Sequence, residues 1–458
     1  MAQTVPADCH PCGDPDEGRG VSNFGAVRFT AAQAASASQG VLDGPDVTLD
    51  GVSFDSRALQ PGQLFIPIVA DRDGHNFIAG AIAAGAPAYF TSGHRASGGA
   101  TAVEVADTTR ALLDLGAWGR SRFPDRVVGI TGSVGKTSVK DLAREVLGAR
   151  WRTAASEKSL NNDWGLPATV LNAPDDSEAL VLEMGMRGLG EIARLCTVAR
   201  PTVGVVTRVA AAHTERLGGI DGVARAKAEL VESLPASGWA VLNADDERVL
   251  AMASLTAAQV LTFGAHGGEV RVEGLVLDDR ARPRFILRTP WGSADVALPI
   301  SGVHMALNAA AAVAAGLAVG VPLDVCAAAL ATVTLSPWRM EMHRSMGGAV
   351  ILNDAYNANP ASMLAALDTL VSLPAQRRIA VLGLMAEIED PEQEHRALAD
   401  EVRARGIELI AVGTDWYGVT ATQDPLAALA ALGPGTAVLV KASRVAGLER
   451  LAAQLVAR

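Results

Sequence analysis

Long apolar runs are missing from this chain. No stretch approaches the roughly 18 to 20 residues that a bilayer-spanning helix needs. The Ala-rich segment from Ala306 to Val319 carries no charge, but it is too short and reads as a buried helix. A basic flank followed by an apolar core is also missing at the N-terminus, so no secretory signal is visible. Positive charge is scarce: 39 Lys and Arg stand against 50 Asp and Glu, a net charge of −11. That disfavours a nucleic-acid binder, because phosphate backbones are held by clustered cations. It leaves an anionic small substrate open, since a local pocket can oppose the global sign. Cysteines number only four. Cys196 and Cys326 sit alone in apolar surroundings, as buried thiols do. Cys9 and Cys12 flank His10 and Pro11 in a polar leader, but a structural zinc site wants four ligands and no second pair follows. A flexible tail and a reducing, cytoplasmic setting are the expectation.

What is present is core-forming material. Hydrophobic residues make up 49 % and charged residues 19 %, which excludes global disorder, and 458 residues suggest about three domains. After a leader over residues 1–25, the pattern predicts a small α/β unit over 26–122, with VTLDGVSFDSR, the run QLFIPIV and an Ala-rich helix ending at Gly85. A central unit over 123–340 carries RVVGIT, ALVLEM, TVGVVTRV and WAVLNA, mostly separated by helical stretches. Continuous Val-rich strands of that kind belong to a parallel sheet covered on both faces. Residues 268–300 alternate more strictly, as an antiparallel appendage would. The last unit, 341–458, repeats the alternation with AVILNDA, RRIAVLG, IELIAVG and TAVLVKA. That is Rossmann-like, yet no GxGxxG follows its strands, so a dinucleotide role has no support. The fold class is α/β, with a small N-terminal domain, a central P-loop ATPase-type parallel sheet and a Rossmann-like C-terminal domain.

The strongest chemical signal is TGSVGKTS: Thr131, Gly132, Ser133, Val134, Gly135, Lys136, Thr137 and Ser138. A strand feeds a glycine turn and then a helix. Such a turn lets backbone N–H groups close around phosphate oxygens, and the helix N-terminus adds positive potential. Lys136 would neutralise the outer phosphates of ATP, and the Thr137 hydroxyl would ligate Mg2+. The usual glycine five positions before Gly135 is replaced by Ile130, so the loop is a shortened GxxGKT. Glu183 closes the strand ALVLE beside this loop, where a carboxylate suits magnesium.

Other candidates are less specific. His213, after the strand TVGVVTRV, could meet a second cation, though a lone histidine is more often an ordinary core or surface residue. Lys227 falls on a helix predicted over Gly222 to Ser233, where exposure is the default. Asn161 and Asn162 precede a helix and could hold polar substrate groups or simply make a turn. Asp354, Asn357 and Asn359 crowd NDAYNANP, which equally has the form of a helix cap before Pro360.

Assembled, these motifs resemble the Mur ligase family over nearly the whole chain beyond the leader, and the shortened loop is that family's own form. NNDWGLPATVL, EMGMRGLGEI and NDAYNANP look like the branch that adds D-alanyl-D-alanine to UDP-MurNAc-tripeptide. DSR (Asp55 to Arg57) and DGHNFI (Asp73 to Ile78) look like a uridine-nucleotide-binding first domain, and the DNPR clamp of the diaminopimelate- or lysine-adding relatives is not found. The resemblance implies an ATP-dependent carboxylate–amine ligase of peptidoglycan precursor synthesis, acting as a monomer through an acyl phosphate. It also implies roles. Lys136, Glu183, His213 and Lys227 would be catalytic, with Thr137, Glu183, His213 and a carbamylated Lys227 as metal ligands. Asn308, with His304 nearby, would meet adenine, and Arg339 and Asp354 would hold phosphate and ribose. Asn357 and Asn359 would place the dipeptide; Ser56 and Arg57 would meet the uridine nucleotide. KASR has Ala442 where relatives usually have glycine, and Leu384 stands where an acidic residue is frequent. Two alternatives remain at this level: a related ligase adding a different amino acid, and a non-catalytic nucleotide-binding protein of the same fold.

Overall fold

The computed structural model describes residues 27–94, 98–157, 160–210, 217–386, 388–429 and 432–458. Cys9, His10, Cys12 and His213 lie outside the described residues. The first sheet runs in the order Val41–Asp43, Thr101–Glu104, Ala88–Thr91, Leu64–Phe65, Val52–Ser53, antiparallel only at its first pair. Beyond it, Asp107 accepts a hydrogen bond from the Arg110 N–H and so starts the helix Thr108–Arg120. This helix lies so close to the helix Gly165–Asn172 that a Cβ on Gly116 would sit 2.5 Å from Pro167 Cβ. A missing side chain thus lets the chain that follows the first sheet lock onto the central layer.

The central sheet has nine strands, with Val127–Thr131 between Ala179–Glu183 on one side and Val203–Val206 on the other. Pairing is parallel across Thr153–Ala155, Ala179–Glu183, Val127–Thr131, Val203–Val206, Trp239–Asn243 and Gln259–Gly264. The crossover helices cover both faces, which is why these strands read as continuous apolar runs. Strand order reverses around Val127–Thr131, and ligands bind at such switch points beyond the carboxyl ends of strands.

The segment expected to form an appendage instead extends this sheet. Val270 pairs in parallel with Phe263, and Val270–Leu277, Pro283–Thr289 and Gly292–Ala297 then continue antiparallel. Its alternation reflects one face packed under the helices His304–Ala318 and Leu323–Leu330 and the other left in water. The helix His304–Ala318 is apolar around most of its circumference because it is wedged between sheet and phosphate-loop helix. A Cβ on its Gly316 would lie 2.5 Å from Val146.

The last sheet runs Glu341–Arg344, Val350–Asn353, Thr436–Lys441, Arg377–Leu382, Glu408–Ala411, parallel except at the first pair. Its carboxyl ends face the phosphate loop. Cys196 and Cys326 are buried, and burial pushes their thiols up to about 11 and about 12. Among the described residues no helix is long and apolar enough to cross a membrane.

Candidate active site

The glycine turn is built to approach its neighbours closely. Gly132 has φ +150° and a Cβ there would lie 1.9 Å from Thr207 Oγ1; Gly135 has φ +85° and a Cβ would lie 2.7 Å from Asn308 Oδ1. No side chain other than hydrogen fits either position. The neighbouring strand end braces the turn: Thr207 Oγ1 donates to Val134 O at 2.5 Å, Ser133 N to Arg208 O at 2.7 Å, and Ser133 Oγ to Ala210 O at 2.9 Å. The helix Lys136–Gly148 has no side-chain cap, so its first N–H groups remain available to an anion. Lys136 Nζ donates to Gly132 O at 2.6 Å, folded back over the turn.

Glu183 reaches this turn because its strand pairs in register with the strand feeding the loop, Glu183 opposite Ile130. It is 2 % exposed. Its Oε2 accepts from Thr137 Oγ1 and its Oε1 from Asn161 Nδ2, each at 2.8 Å. Thr137 Oγ1 in turn accepts from Arg339 Nη2 at 2.8 Å. A buried carboxylate and a hydroxyl in contact are hard oxygen donors of the kind magnesium takes. Arg339 also lies over the Tyr356 ring, 4.1 Å from its centroid, and its buried Nε has no partner among the described residues. That orphan donor points to an acceptor that arrives with a ligand.

Lys227 departs from the expectation of exposure. It is 3 % exposed on the helix Ile220–Glu232, and burial, reinforced by the nearby Lys136, pushes its amine well below the ordinary lysine range. The reason is positional: Lys227 shares a face with Val223, Leu230 and Val231, all buried, at i−4, i+3 and i+4. That spacing was a usable signal in the sequence.

The C-terminal domain supplies the opposite wall. Asp354 Oδ2 pairs with Lys441 Nζ at 2.5 Å, and its Oδ1 accepts from Met340 N at 3.1 Å. Lys441 also donates to Asn357 O at 2.8 Å, and burial lowers its affinity for a proton. Asn359 caps the helix Pro360–Ser372 in a reciprocal box with Ser362, and its Nδ2 reaches Ser133 O at 3.4 Å. Asn359 is thus a helix cap that also lines the cavity. Sequence reasoning missed Lys441, Tyr356 and the stack of Arg444 on Trp338, 4.2 Å from the ring centroid. A lysine closing the otherwise apolar, buried strand TAVLVK was the available sign of the first.

One cavity of about 800 Å3 brings these groups together, lined by residues 132–138, Asn161, Asn162, Glu183, Lys227, His304, Asn308, Arg339, Asp354, Asn357 and Asn359. Asn162 is mainly a local cap, its Oδ1 accepting from Gly165 N at 2.9 Å. His304 is half-buried, its Nδ1 without a partner among the described residues, and desolvation lowers its pKa. Three expected residues do not line the cavity. Thr131 lies beneath the loop and donates to Met184 O at 2.9 Å. Ser56 and Arg57 belong to the first domain, where Arg57 is exposed and pairs with Asp55 at 2.7 Å. In that domain Asp73, His75 and His94 also cluster. There His75 Nδ1 meets Asp73 at 2.6 Å while Nε2 accepts the Ser92 N–H at 3.1 Å, so both ring nitrogens of His75 are engaged within the protein.

Comparison with known proteins agrees with this geometry. The Mur ligase middle domain matches residues 130–316, and the Mur ligase glutamate ligase domain matches 338–457. The chain is 35 % identical to the UDP-N-acetylmuramoyl-tripeptide–D-alanyl-D-alanine ligase of Escherichia coli (strain K12), over 93 % of this chain and 98 % of that one. It is 38 % identical to the same-named ligase of Mycobacterium tuberculosis (strain ATCC 25618 / H37Rv), over 89 % and 92 %. Among solved structures, MurF from Acinetobacter baumannii superposes with a TM-score of 0.85 at 28 % identity, covering 94 % of this chain and 99 % of that one. The MurF ligase of Thermotoga maritima in complex with ADP gives 0.79 at 25 % identity, covering 89 % and 96 %. With the phosphate loop, the buried Glu183 and the two matched domains in agreement, this chain belongs to the Mur ligase family.

Proposed function

We propose that the protein joins D-alanyl-D-alanine to UDP-N-acetylmuramoyl-tripeptide with conversion of ATP to ADP and phosphate, acting as a cytoplasmic monomer. The domains divide the work. Residues 26–122 bind the uridine nucleotide through Ser56 and Arg57, residues 123–340 bind ATP, and residues 341–458 bind the dipeptide. The observation that carries this reading is the hydrogen-bonded set Arg339–Thr137–Glu183–Asn161 beside the phosphate loop, which ties the linker to the loop helix and the neighbouring strand end.

The chemistry follows from the groups present. A carboxylate is a poor electrophile, so an oxygen of the tripeptide's terminal carboxylate attacks the γ-phosphorus and ADP departs. The amine of the dipeptide then adds to the acyl carbon, and phosphate leaves with one former carboxylate oxygen. The N–H groups of residues 132–138 and the Lys136 ammonium hold the triphosphate and take up charge developing on it. Thr137 and Glu183 fit Mg2+, which when bound offsets repulsion between carboxylate and triphosphate.

Burial disfavours the charged form of Lys227, and the neutral amine is the form that takes up CO2; the resulting carbamate, with His213, would provide anionic and imidazole ligands for a second cation. Asn308, against Gly135, and His304, near Asp354, meet the adenine. Arg339 and Asp354 contact nucleotide phosphate and ribose, and Asn357 and Asn359 orient the dipeptide.

An amine screen tests the assignment. ADP release and product mass would be followed with UDP-MurNAc-tripeptide and, in turn, D-alanyl-D-alanine, D-alanine, L-lysine and diaminopimelate. Product with the dipeptide alone supports it; preference for another amine overturns it.

A further inference from the structure

One face of the phosphate-loop helix grips the linker that carries Arg339. Thr137, Lys140 and Asp141 stand at i, i+3 and i+4 on the helix Lys136–Gly148, so they share that face. Lys140 and Asp141 form an ion pair at 2.6 Å with side chains only 2 % and 0 % exposed. An ion pair this deeply desolvated is no efficient source of stability, because apolar residues of the same volume would serve as well. Its partners indicate what it does instead.

Asp141 Oδ2 accepts from Ser336 N at 2.7 Å and Asp141 Oδ1 accepts from Ser336 Oγ at 3.0 Å. Lys140 Nζ donates to Ser156 O at 2.9 Å, and Ser156 Oγ accepts the Glu183 N–H at 3.1 Å. The pair therefore ties three things together: the helix bearing Thr137, the chain beside Glu183, and the first residue of the linker Ser336–Met340. The linker's other end is held by the C-terminal domain, through Met340 N on Asp354. Trp338 has φ 61° and the anchor Met340 φ 52°, left-handed values that non-glycine residues adopt only when their surroundings enforce them. Arg339 sits between these residues with one nitrogen on Thr137 and Nε without a partner among the described residues.

We infer that Ser336, held by the buried Lys140–Asp141 pair, is a positioning residue: it is the fixed end of the linker and sets where Arg339 meets the phosphate site. This rests on the reading of Arg339 as a nucleotide-phosphate contact. Substituting Asp141 would leave Lys140 buried without a countercharge and endanger folding, so Ser336 is the place to test it.

Ser336→Ala removes one of the two bonds to Asp141, and kcat for ligation is expected to fall about tenfold with KM for ATP within about twofold of the parent, since misplacement rather than binding is at issue. Ser336→Thr keeps the hydroxyl and should restore kcat. The deciding measurement is a double-mutant cycle with Arg339→Ala. If Ser336 acts through Arg339, adding Ser336→Ala to Arg339→Ala costs nothing further. If the two losses multiply, or if Ser336→Ala raises KM for ATP while sparing kcat, the positioning role is wrong and the ligase reading stands. If Arg339→Ala alone leaves ligation unchanged, the phosphate role of Arg339 fails first, and this inference fails with it.

Discussion

Replacing Lys227 by methionine should make the protein more stable and inactive at once. Lys227 is 3 % exposed at the wall of the cavity, and burial disfavours its charged form. Holding a polar group in a largely desolvated site costs about 1–3 kcal/mol. Methionine fills a similar volume without that cost, so the variant should gain about that amount. For a transition of a domain of about 200 residues this is a rise of roughly 2–12 °C.

The pH dependence adds a second check. Burial depresses the folded-state pKa of Lys227, so below its ordinary value of 10.5 the unfolded chain binds the extra proton and the wild type is penalised. The gap between Lys227→Met and wild type should therefore narrow as pH rises toward 10.5. Scanning calorimetry in metal-free, CO2-depleted buffer is the assay, with ligation measured separately and expected to fall by about a hundredfold or more. A variant no more stable than wild type would refute the reasoning, since the amine would then be well satisfied in the folded protein.

Three further outcomes are expected. Gly135→Ala places a Cβ 2.7 Å from Asn308 Oδ1 at φ +85°, and the left-handed cost alone is about 1–2 kcal/mol, so calorimetric titration should find ATP bound roughly tenfold more weakly. Asp354→Asn leaves Lys441 buried without its countercharge, which should cost about 3–5 kcal/mol, read from the C-terminal unfolding transition. His395 is buried and neutral, its Nε2 accepting Met385 N at 2.9 Å, and desolvation lowers its pKa below the ordinary 6.5. Stability should therefore decline as pH falls through 6.5, where the unfolded chain gains a proton that the folded one refuses, and His395→Leu should lose that slope in thermal unfolding.

What the sequence discloses follows from how local each feature is. The phosphate loop is legible because strand, turn, lysine and hydroxyl are contiguous and each has one chemical use. Glu183 is legible because it ends an otherwise apolar strand in the same sheet. The parallel strands stand out since burial on both faces leaves an unbroken apolar run. By contrast, the bond from Arg339 to Thr137 spans 202 positions, and no local pattern reports it. Asp354 with Lys441, 87 positions apart, is hidden for the same reason. The antiparallel strands after Val270 read as a separate appendage because half-exposed alternation looks alike whether a hairpin stands alone or edges a larger sheet. Lys227 is mistaken for a surface lysine when its type is weighed before its position on the helix. Ser56 and Arg57 are legible as a motif, but they lie outside the main cavity.

The account turns on activation of a carboxylate by transfer of phosphate in the cavity around Lys136 and Glu183. The most direct test is a single-turnover reaction with UDP-MurNAc-tripeptide carrying heavy oxygen in its terminal carboxylate, ATP and D-alanyl-D-alanine, with the released phosphate analysed by mass. Each phosphate should carry one labelled oxygen, and Lys136→Ala should abolish the transfer. Ligated product accompanied by unlabelled phosphate would contradict the account.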